Sequence, residues 1–266
     1  MRIRRVGLLG DLHTGSAFAP WPAGAELSCG GTHQPNVGQS YLNERMGEIA
    51  AALPPLDVIV FTGDLIDGQM PKDRGRYLVE IDPQFQARAA YELVRPIAQR
   101  ATVVYVLEGT EYHDSDGSMW MEWLARELGA VAKDQHVAWD WLLADMFGLK
   151  WDLAHKQSIM IRYKSTAMER EMQFSSMLSE TADVIVRSHA HFYGFVQLAT
   201  DGIVQTSVST PAWKMQGHYE RTSLSPNRLY SSKLGMVVLE VEDGNVIPRP
   251  FLFPHPPLRR SVYVTA

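Results

Sequence analysis

The stretch GLLGDLHTG, residues 7–15, joins a short apolar run to an aspartate and a histidine. The apolar residues that end at Leu9 are typical of a strand that is buried on both faces. Asp11 and His13 do not belong in such a core unless a partner or a metal ion satisfies them. We therefore interpret this stretch as a core strand that delivers two polar side chains to a functional edge of a sheet.

The same pattern of a buried strand followed by acids or imidazoles recurs in three later stretches: DVIVFTGD (57–64), TVVYVLEGTEYHD (102–114) and DVIVRSHAH (183–191). His155 follows a predicted hairpin in the same way. In open α/β sheets, ligands bind outside the carboxyl ends of the strands. We expect these polar residues to meet there.

Helices alternate with the strands in the first half of the chain, and hairpins dominate the second half. The predicted helices cover residues 40–53, 83–99, 118–128 and 166–178, and Ser40 is the predicted N-cap of the first. Hairpin turns are predicted at residues 201–202 and 243–244. We predict an α/β fold with one sheet covered on both faces and a second, hairpin-built sheet stacked on it.

Length and composition favour one domain over residues 1–266, because 45% of the residues are hydrophobic and no linker-like boundary interrupts the chain. A Gly- and Pro-rich loop insertion, residues 15–39, is expected near the site, since long loops in compact domains are usually functional or mobile.

Charge, cysteine content and hydropathy exclude several classes of function. A net charge of −5 disfavours a broad basic surface for nucleic acid. The single cysteine cannot form an internal disulfide, which fits a reducing compartment. No apolar run approaches the roughly 18 residues of a membrane span, and the basic start is too short for a secretory signal. We therefore expect a cytoplasmic protein without a membrane partner.

The ligand types predict a pair of divalent cations. Asp11 and His13 are two residues apart, as are His189 and His191, so a regular strand would direct each pair to one side. Mixed carboxylate and imidazole ligands suit Mn, Fe, Zn or Ni. The ligands are too many for one tetrahedral site, so two ions that share a carboxylate fit better. Asp67 and Asp114 would cap helices or orient a histidine.

The order of the polar motifs along the chain resembles that of the calcineurin-like metallophosphoesterase superfamily. The motifs are GDLH, GD, a glycine-containing turn with histidine, a lone histidine and HAH. The resemblance implies a four-layer sandwich of two stacked mixed β-sheets flanked by helices. It also implies two metal ions, with Asp64 bridging them and His113 protonating the leaving group. The remaining ligands would be Asp11, His13 and His191 for the first metal, and His155 and His189 for the second.

One position departs from the superfamily pattern. Its members usually carry an asparagine directly before the histidine, and that asparagine binds the second metal. This chain has Gly109-Thr110-Glu111-Tyr112-His113 instead. Thr110 occupies the asparagine slot when counted from the glycine, but Glu111 is chemically the better ligand, so we predict that Glu111 binds the metal.

The resemblance implies hydrolysis of phosphate esters by a hydroxide that two metal ions activate, with Mn expected to support activity in vitro. We expect phosphodiesters of nucleotides or nucleic acids as substrates, because two loops at the mouth would shape a cleft for an extended molecule. The alternatives are a phosphomonoesterase and a metal-depleted scaffold that binds a partner. A Trp-rich middle segment is compatible with a homodimer, and Trp213 and Tyr219 are predicted to line the cleft.

Overall fold

Two mixed β-sheets, stacked face to face, form the centre of the fold in the computed structural model. The structure describes residues 2–71, 74–113, 119–156, 164–177, 181–200, 203–216 and 233–256.

The first sheet has six strands in the order β11-β10-β1-β2-β3-β4. Strands β1 to β4 run parallel to one another, β10 pairs antiparallel with β1, and β11 pairs antiparallel with β10. Their bounds are β1 (Arg4–Leu9), β2 (Leu56–Phe61), β3 (Ala101–Leu107), β4 (Ala138–Trp139), β10 (Leu234–Glu242) and β11 (Asn245–Phe253).

The second sheet has five strands in the order β5-β6-β7-β9-β8. Its central strands β6, β7 and β9 are parallel, and the hairpins β5–β6 and β8–β9 are antiparallel. The bounds are β5 (Trp141–Met146), β6 (Leu149–Ala154), β7 (Val184–Arg187), β8 (Gly194–Thr200) and β9 (Ile203–Ser209). The turn predicted at residues 201–202 lies outside the described residues.

The sequence predicted that the hairpins build the second sheet. The last hairpin, β10–β11, instead belongs to the first sheet, where β10 pairs with β1. The reason is the composition of β10, whose first six residues are all buried. A continuous apolar strand of this kind needs cover on both faces, and the position beside β1 provides it.

In the part of the chain that the structure describes, four helices cover the outer faces of the two sheets: α1 (Val37–Ala52), α2 (Pro83–Ala98), α3 (Met119–Glu127) and α4 (Lys164–Ser176). Helices α1 to α3 pack on the first sheet, where Leu42 and Val94 share a core with Phe61. On the second sheet, Met172 of α4 packs with Ile185. This four-layer arrangement confirms the predicted fold class of two stacked mixed sheets flanked by helices.

Helix α1 begins earlier than predicted, because Asn36 and not Ser40 caps it. The Asn36 side chain accepts a hydrogen bond from Gln39 N, and the Gln39 side chain accepts one from Asn36 N. This reciprocal capping box satisfies two backbone donors at the helix start. The loop of residues 15–39 is anchored at Trp21, which is fully buried.

Alternating side chains divide the central strands between two cores. Val6 and Val58 point between the sheets, whereas Leu9 and Ile59 point toward the helices. Both faces of β1 and β2 are therefore occupied by apolar side chains, and the polar residues are placed just beyond the strand ends. In the described ranges, no helix is long and apolar enough to cross a membrane.

Candidate metal centre

Six of the predicted ligands converge beyond the carboxyl ends of β1, β2, β6 and β7, so both sheets contribute to one site. In the described part of the chain they form two groups whose ligand atoms lie within 4.8 Å of one another. The first group is Asp11, His13 and His191, and the second is Asp64, His155 and His189.

The backbone at five of these six ligands, all except His155, is left-handed and not extended. The φ angle is 50° at Asp11, 52° at His13 and 48° at Asp64, and His189 and His191 also have positive φ. The sequence-based explanation, that alternation along a regular strand pairs residues two apart, was therefore wrong, although the pairs do meet. Non-glycine residues in this conformation cost free energy and concentrate at functional sites.

The first group has the spacing of a metal polyhedron. His191 Nε2 lies 3.3 Å from Asp11 Oδ1 and 3.1 Å from His13 Nε2. Ligands at about 2.1 Å from a zinc-like ion are themselves about 3.0–3.4 Å apart. Asp11 Oδ1 is buried and has no hydrogen-bond partner among the described residues. An unpaired carboxylate oxygen at this depth is costly, and a bound cation would satisfy it.

The second group has the same character. His155 Nε2 lies 3.0 Å from Asp64 Oδ2, and His189 Nδ1 lies 3.9 Å from that oxygen. His155 donates from Nδ1 to Thr62 O over 2.7 Å, which fixes the tautomer and frees Nε2 for a ligand. This Nε2 atom is buried and makes no well-formed hydrogen bond within the described chain.

Asp64 lies between the two groups. Its Oδ2 atom is 3.0 Å from His155 Nε2 in one group and 4.0 Å from His13 Nε2 in the other. Asp11 Oδ1 is likewise 3.9 Å from His155 Nε2. The groups are thus adjacent, and the residues present fit two closely spaced cations with Asp64 between them.

Asp67 holds two histidines at once. Its Oδ1 atom accepts from His13 Nδ1 over 3.0 Å, and its backbone oxygen accepts from His113 Nδ1 over 2.8 Å. Of the two roles considered for Asp67, orientation of a histidine is the one observed. The ring centroids of His13 and His113 are 4.4 Å apart, so the predicted acid lies beside the first group. Asp114 lies outside the described residues.

Thr110, and not Glu111, contacts the metal centre. Thr110 donates from its backbone N to Asp64 Oδ1 over 2.7 Å, and its hydroxyl lies 3.2 Å from the same atom. A side chain on Gly109 would meet Asp64 Oδ1 at 2.1 Å, so only glycine permits this approach. Glu111 is exposed in the turn that follows and belongs to none of the ligand groups in the described residues. The structure therefore does not bring Glu111 together with the other predicted ligands.

The protonation of the site suits cation binding. Burial raises the pKa of Asp11 and of Asp64, but nearby histidines outweigh it and hold both below their usual range. Burial, together with the charges of Lys214 and His113, lowers the pKa of His13 to about 3. Burial opposes protonation of His155 as well, yet Asp64 and Asp11 raise its pKa to about 9. The carboxylates are ionised and His13 is neutral, as metal ligands must be.

Sequence reasoning missed Lys214, whose Nζ atom lies 2.8 Å from Asp67 Oδ1. It follows β9, which is parallel to β7 and ends at the same edge, so the strand-end rule would have found it. The prediction that Trp213 lines the cleft was wrong, because Trp213 is fully buried and packs against Phe253. Tyr219 lies outside the described residues.

Comparisons with known proteins show likeness of structure alone. No protein-family model matches the chain, and no curated protein sequence matches it. Among solved structures, vacuolar protein sorting 29 from Cryptosporidium parvum is 13% identical and covers 95% of this chain and 98% of its own, with a TM-score of 0.44. Wild-type Vps29 of Entamoeba histolytica, complexed with Zn²⁺, is also 13% identical, with coverages of 93% and 99% and a TM-score of 0.43.

A purple acid phosphatase from yellow lupin seeds is 13% identical, with a TM-score of 0.48, and the match covers 94% of this chain and 52% of that one. The fold class stands on the two stacked sheets themselves, and their arrangement is the one that resemblance to the calcineurin-like metallophosphoesterases implied.

Proposed function

We propose that this protein hydrolyses phosphate esters, with phosphodiesters of nucleotides or nucleic acids as substrates, at a centre that holds two divalent cations. The observation that carries the proposal is the pair of adjacent Asp/His groups with Asp64 between them. Two buried ligand atoms, Asp11 Oδ1 and His155 Nε2, have no hydrogen-bond partner among the described residues.

The proposed ligands are Asp11, His13 and His191 for one cation, His155 and His189 for the other, and Asp64 for both. When bound, such a pair of cations lowers the pKa of water toward neutrality and polarises the phosphoryl oxygens. The protein supplies fixed orientation, since His13 and His155 are each held through Nδ1 by an oxygen acceptor. Mn, Fe, Zn and Ni all suit these ligands, and Mn²⁺ is the ion chosen for assays.

His113 is proposed as the acid that protonates the leaving oxygen. Because its Nδ1 donates to Asp67 O, the proton to be transferred would reside on Nε2. Replacement of His113 by asparagine is expected to lower turnover of poor leaving groups by about 10²–10⁴-fold, the usual contribution of general acid catalysis. Metal content should stay at the wild-type level, and a loss of metal would assign His113 to the ligands.

The preference for diesters is supported by the loops beside the centre. Residues 15–39 contact the segment near Tyr77 through a hydrogen bond from Ala17 N to Tyr77 O over 2.8 Å. Phe18 O in turn accepts from Met215 N over 2.8 Å, next to Lys214. These two hydrogen bonds join the loop segments to one another, and we expect the joined loops to line a cleft for an extended substrate.

The test compares metal-dependent turnover of bis(p-nitrophenyl) phosphate and p-nitrophenyl phosphate in Mn²⁺. We expect faster hydrolysis of the diester, and a loss of about a thousandfold in Asp64→Asn, since removal of the cations forfeits several kcal/mol of transition-state stabilisation. Asp145→Asn, at an exposed position in β5, is the matched control and should retain full activity. Preference for the monoester would favour a phosphomonoesterase instead.

A partner-binding scaffold is the second candidate. The observation that favours it is the position of Thr110, which occupies the slot where the superfamily has a metal-binding asparagine and which leaves the second group with three ligands. Protein that binds no Mn²⁺ and hydrolyses neither ester would support the scaffold and contradict the phosphoesterase.

A further inference from the structure

Lys214 lies against the metal centre although neither proposed ligand group includes it. The backbone N atoms of Trp213 and Lys214 lie 3.0 and 3.3 Å from Asp11 O, so this segment is tied to the end of β1. The Lys214 side chain is only 11% exposed, and its ammonium group meets Asp67 Oδ1 at 2.8 Å. The Lys214 ammonium group is therefore held next to the side chains that are proposed to bind the metal ions.

A third group of metal-type ligands surrounds this ammonium. Ligand atoms of His13, Asp67 and His113 lie within 4.8 Å of one another. Asp67 Oδ1 is 3.0 Å from His13 Nδ1 and 3.5 Å from His113 Nδ1. By residue type and spacing this group would accept a divalent ion, but its one carboxylate oxygen already carries Lys214.

We infer that the Lys214 ammonium group occupies the third group and thereby confines divalent ions to the other two. This inference rests on the proposed function, because those two groups are the proposed metal sites. Lys214 is in this sense a positioning residue, which acts on the centre through Asp67.

Charge and hydrogen bonding explain why the third group must stay closed. An ion bound to Asp67 Oδ1 at about 2.1 Å would lie within about 5 Å of the Lys214 ammonium, where like charges repel strongly in a buried setting. Such an ion would also compete for Nδ1 of both histidines. His13 would then lose the bond that orients it toward Asp11, and His113 would lose the bond that holds it beside the centre.

Metal titration of variants tests the inference. Metal-free protein is titrated with Co²⁺, and bound ions are counted by calorimetry, elemental analysis and the visible absorption of Co²⁺. We expect two ions per chain for the wild type, three for Lys214→Met with a new Co²⁺ absorption band, and two for Lys214→Arg, which restores the cation. Lys133→Met, which removes an exposed lysine beside Trp139, is the charge-matched control and should bind two.

The outcomes separate this inference from the proposed function. A Lys214→Met protein that binds the same number of ions as wild type, with the same affinity and spectrum, overturns the role of Lys214. Wild-type protein that binds no ion overturns the proposed function. If Lys214→Met then binds one ion more than the wild type, that result still supports the closed third group. Lys214→Gln, which can still donate to Asp67, replaces Lys214→Met if melting curves show that the latter does not fold.

Discussion

Two buried clusters of charged side chains differ in how completely they satisfy themselves. In the first, which we name the guanidinium cluster, Arg187 donates to both carboxylate oxygens of Asp152 over 2.9 and 3.0 Å and to Glu171 over 2.9 Å. Trp141 donates a third hydrogen bond to the Asp152 carboxylate. In the metal centre, by contrast, Asp11 Oδ1 and His155 Nε2 make no well-formed hydrogen bond within the described residues.

The difference indicates what each cluster is for. A buried charge cluster that contains its own cation needs no ligand, and its polar atoms are paired with one another. The metal centre gathers Asp11, Asp64 and Asp67 around neutral and protonated imidazoles, and Lys214 neutralises only one carboxylate. The remaining ligand atoms point at one another at distances that an ion would bridge. We therefore interpret the guanidinium cluster as structural, and the contrast supports the function proposed for the candidate metal centre.

The largest expected effect is on stability, in the guanidinium cluster. Arg187→Met leaves two buried carboxylates without their cation, which should lower the free energy of unfolding by about 3–5 kcal/mol. Chemical denaturation measures this loss. Mn²⁺ uptake by the folded fraction should be unchanged, because Arg187 is not a proposed ligand.

The matched control is Arg249→Met, which removes an ion pair with Glu240 at an arginine that is 62% exposed. Exposed pairs contribute about 0–1 kcal/mol, so little should change. A loss in Arg187→Met no larger than in this control would mean that the guanidinium cluster is not the stabilising element that its geometry indicates.

A smaller effect is expected in the second layer of the metal centre. Asp67→Asn weakens the acceptor for His13 Nδ1 and should reduce Mn²⁺ affinity by about 10–100-fold, the usual cost of losing such a partner. Isothermal titration calorimetry gives the affinity. Unchanged Mn²⁺ affinity would show that His13 needs no orientation by Asp67. The control is Asp183→Asn, because the Asp183 carboxylate contacts Lys150 N near the surface.

The smallest effect per step is that of pH, at most tenfold in Mn²⁺ affinity for each pH unit. Asp64 and Asp11 raise the pKa of His155 to about 9, so at neutral pH this imidazole is protonated in the metal-free protein. A cation must displace that proton, and affinity should therefore rise with pH, by up to tenfold per unit, until it levels above about pH 9. Calorimetry at pH 7 in buffers of different ionisation enthalpy should show about one proton released. Release of none would contradict the assigned contact between His155 and Asp64.

Much of the fold and site was predictable because buried parallel strands have a simple sequence pattern. Strands β1, β2, β3 and β7 are short and apolar, and the polar residues that follow them had to meet at one edge. This logic predicted that these polar residues come together, and six of them do.

What could not be predicted depended on local backbone geometry and on distant contacts. The choice between Thr110 and Glu111 turns on one residue in a tight turn, which residue types alone do not decide. The left-handed backbone at Asp11 and His189 is stabilised by tertiary contacts, such as the bond from His189 N to Asp11 Oδ2. The strand-end rule places Lys214 at this edge of the sheet, but it does not give the pairing of Lys214 with Asp67, which is 147 residues away in the chain.

The measurement that tests the central claim most directly is anomalous X-ray diffraction from crystals grown with Mn²⁺. The account predicts two anomalous peaks per chain, one within bonding distance of Asp11, His13 and His191 and one within bonding distance of His155 and His189, with Asp64 contacting both. Fully loaded crystals with no peak among these residues, or with an ion only at some other part of the chain, would contradict it.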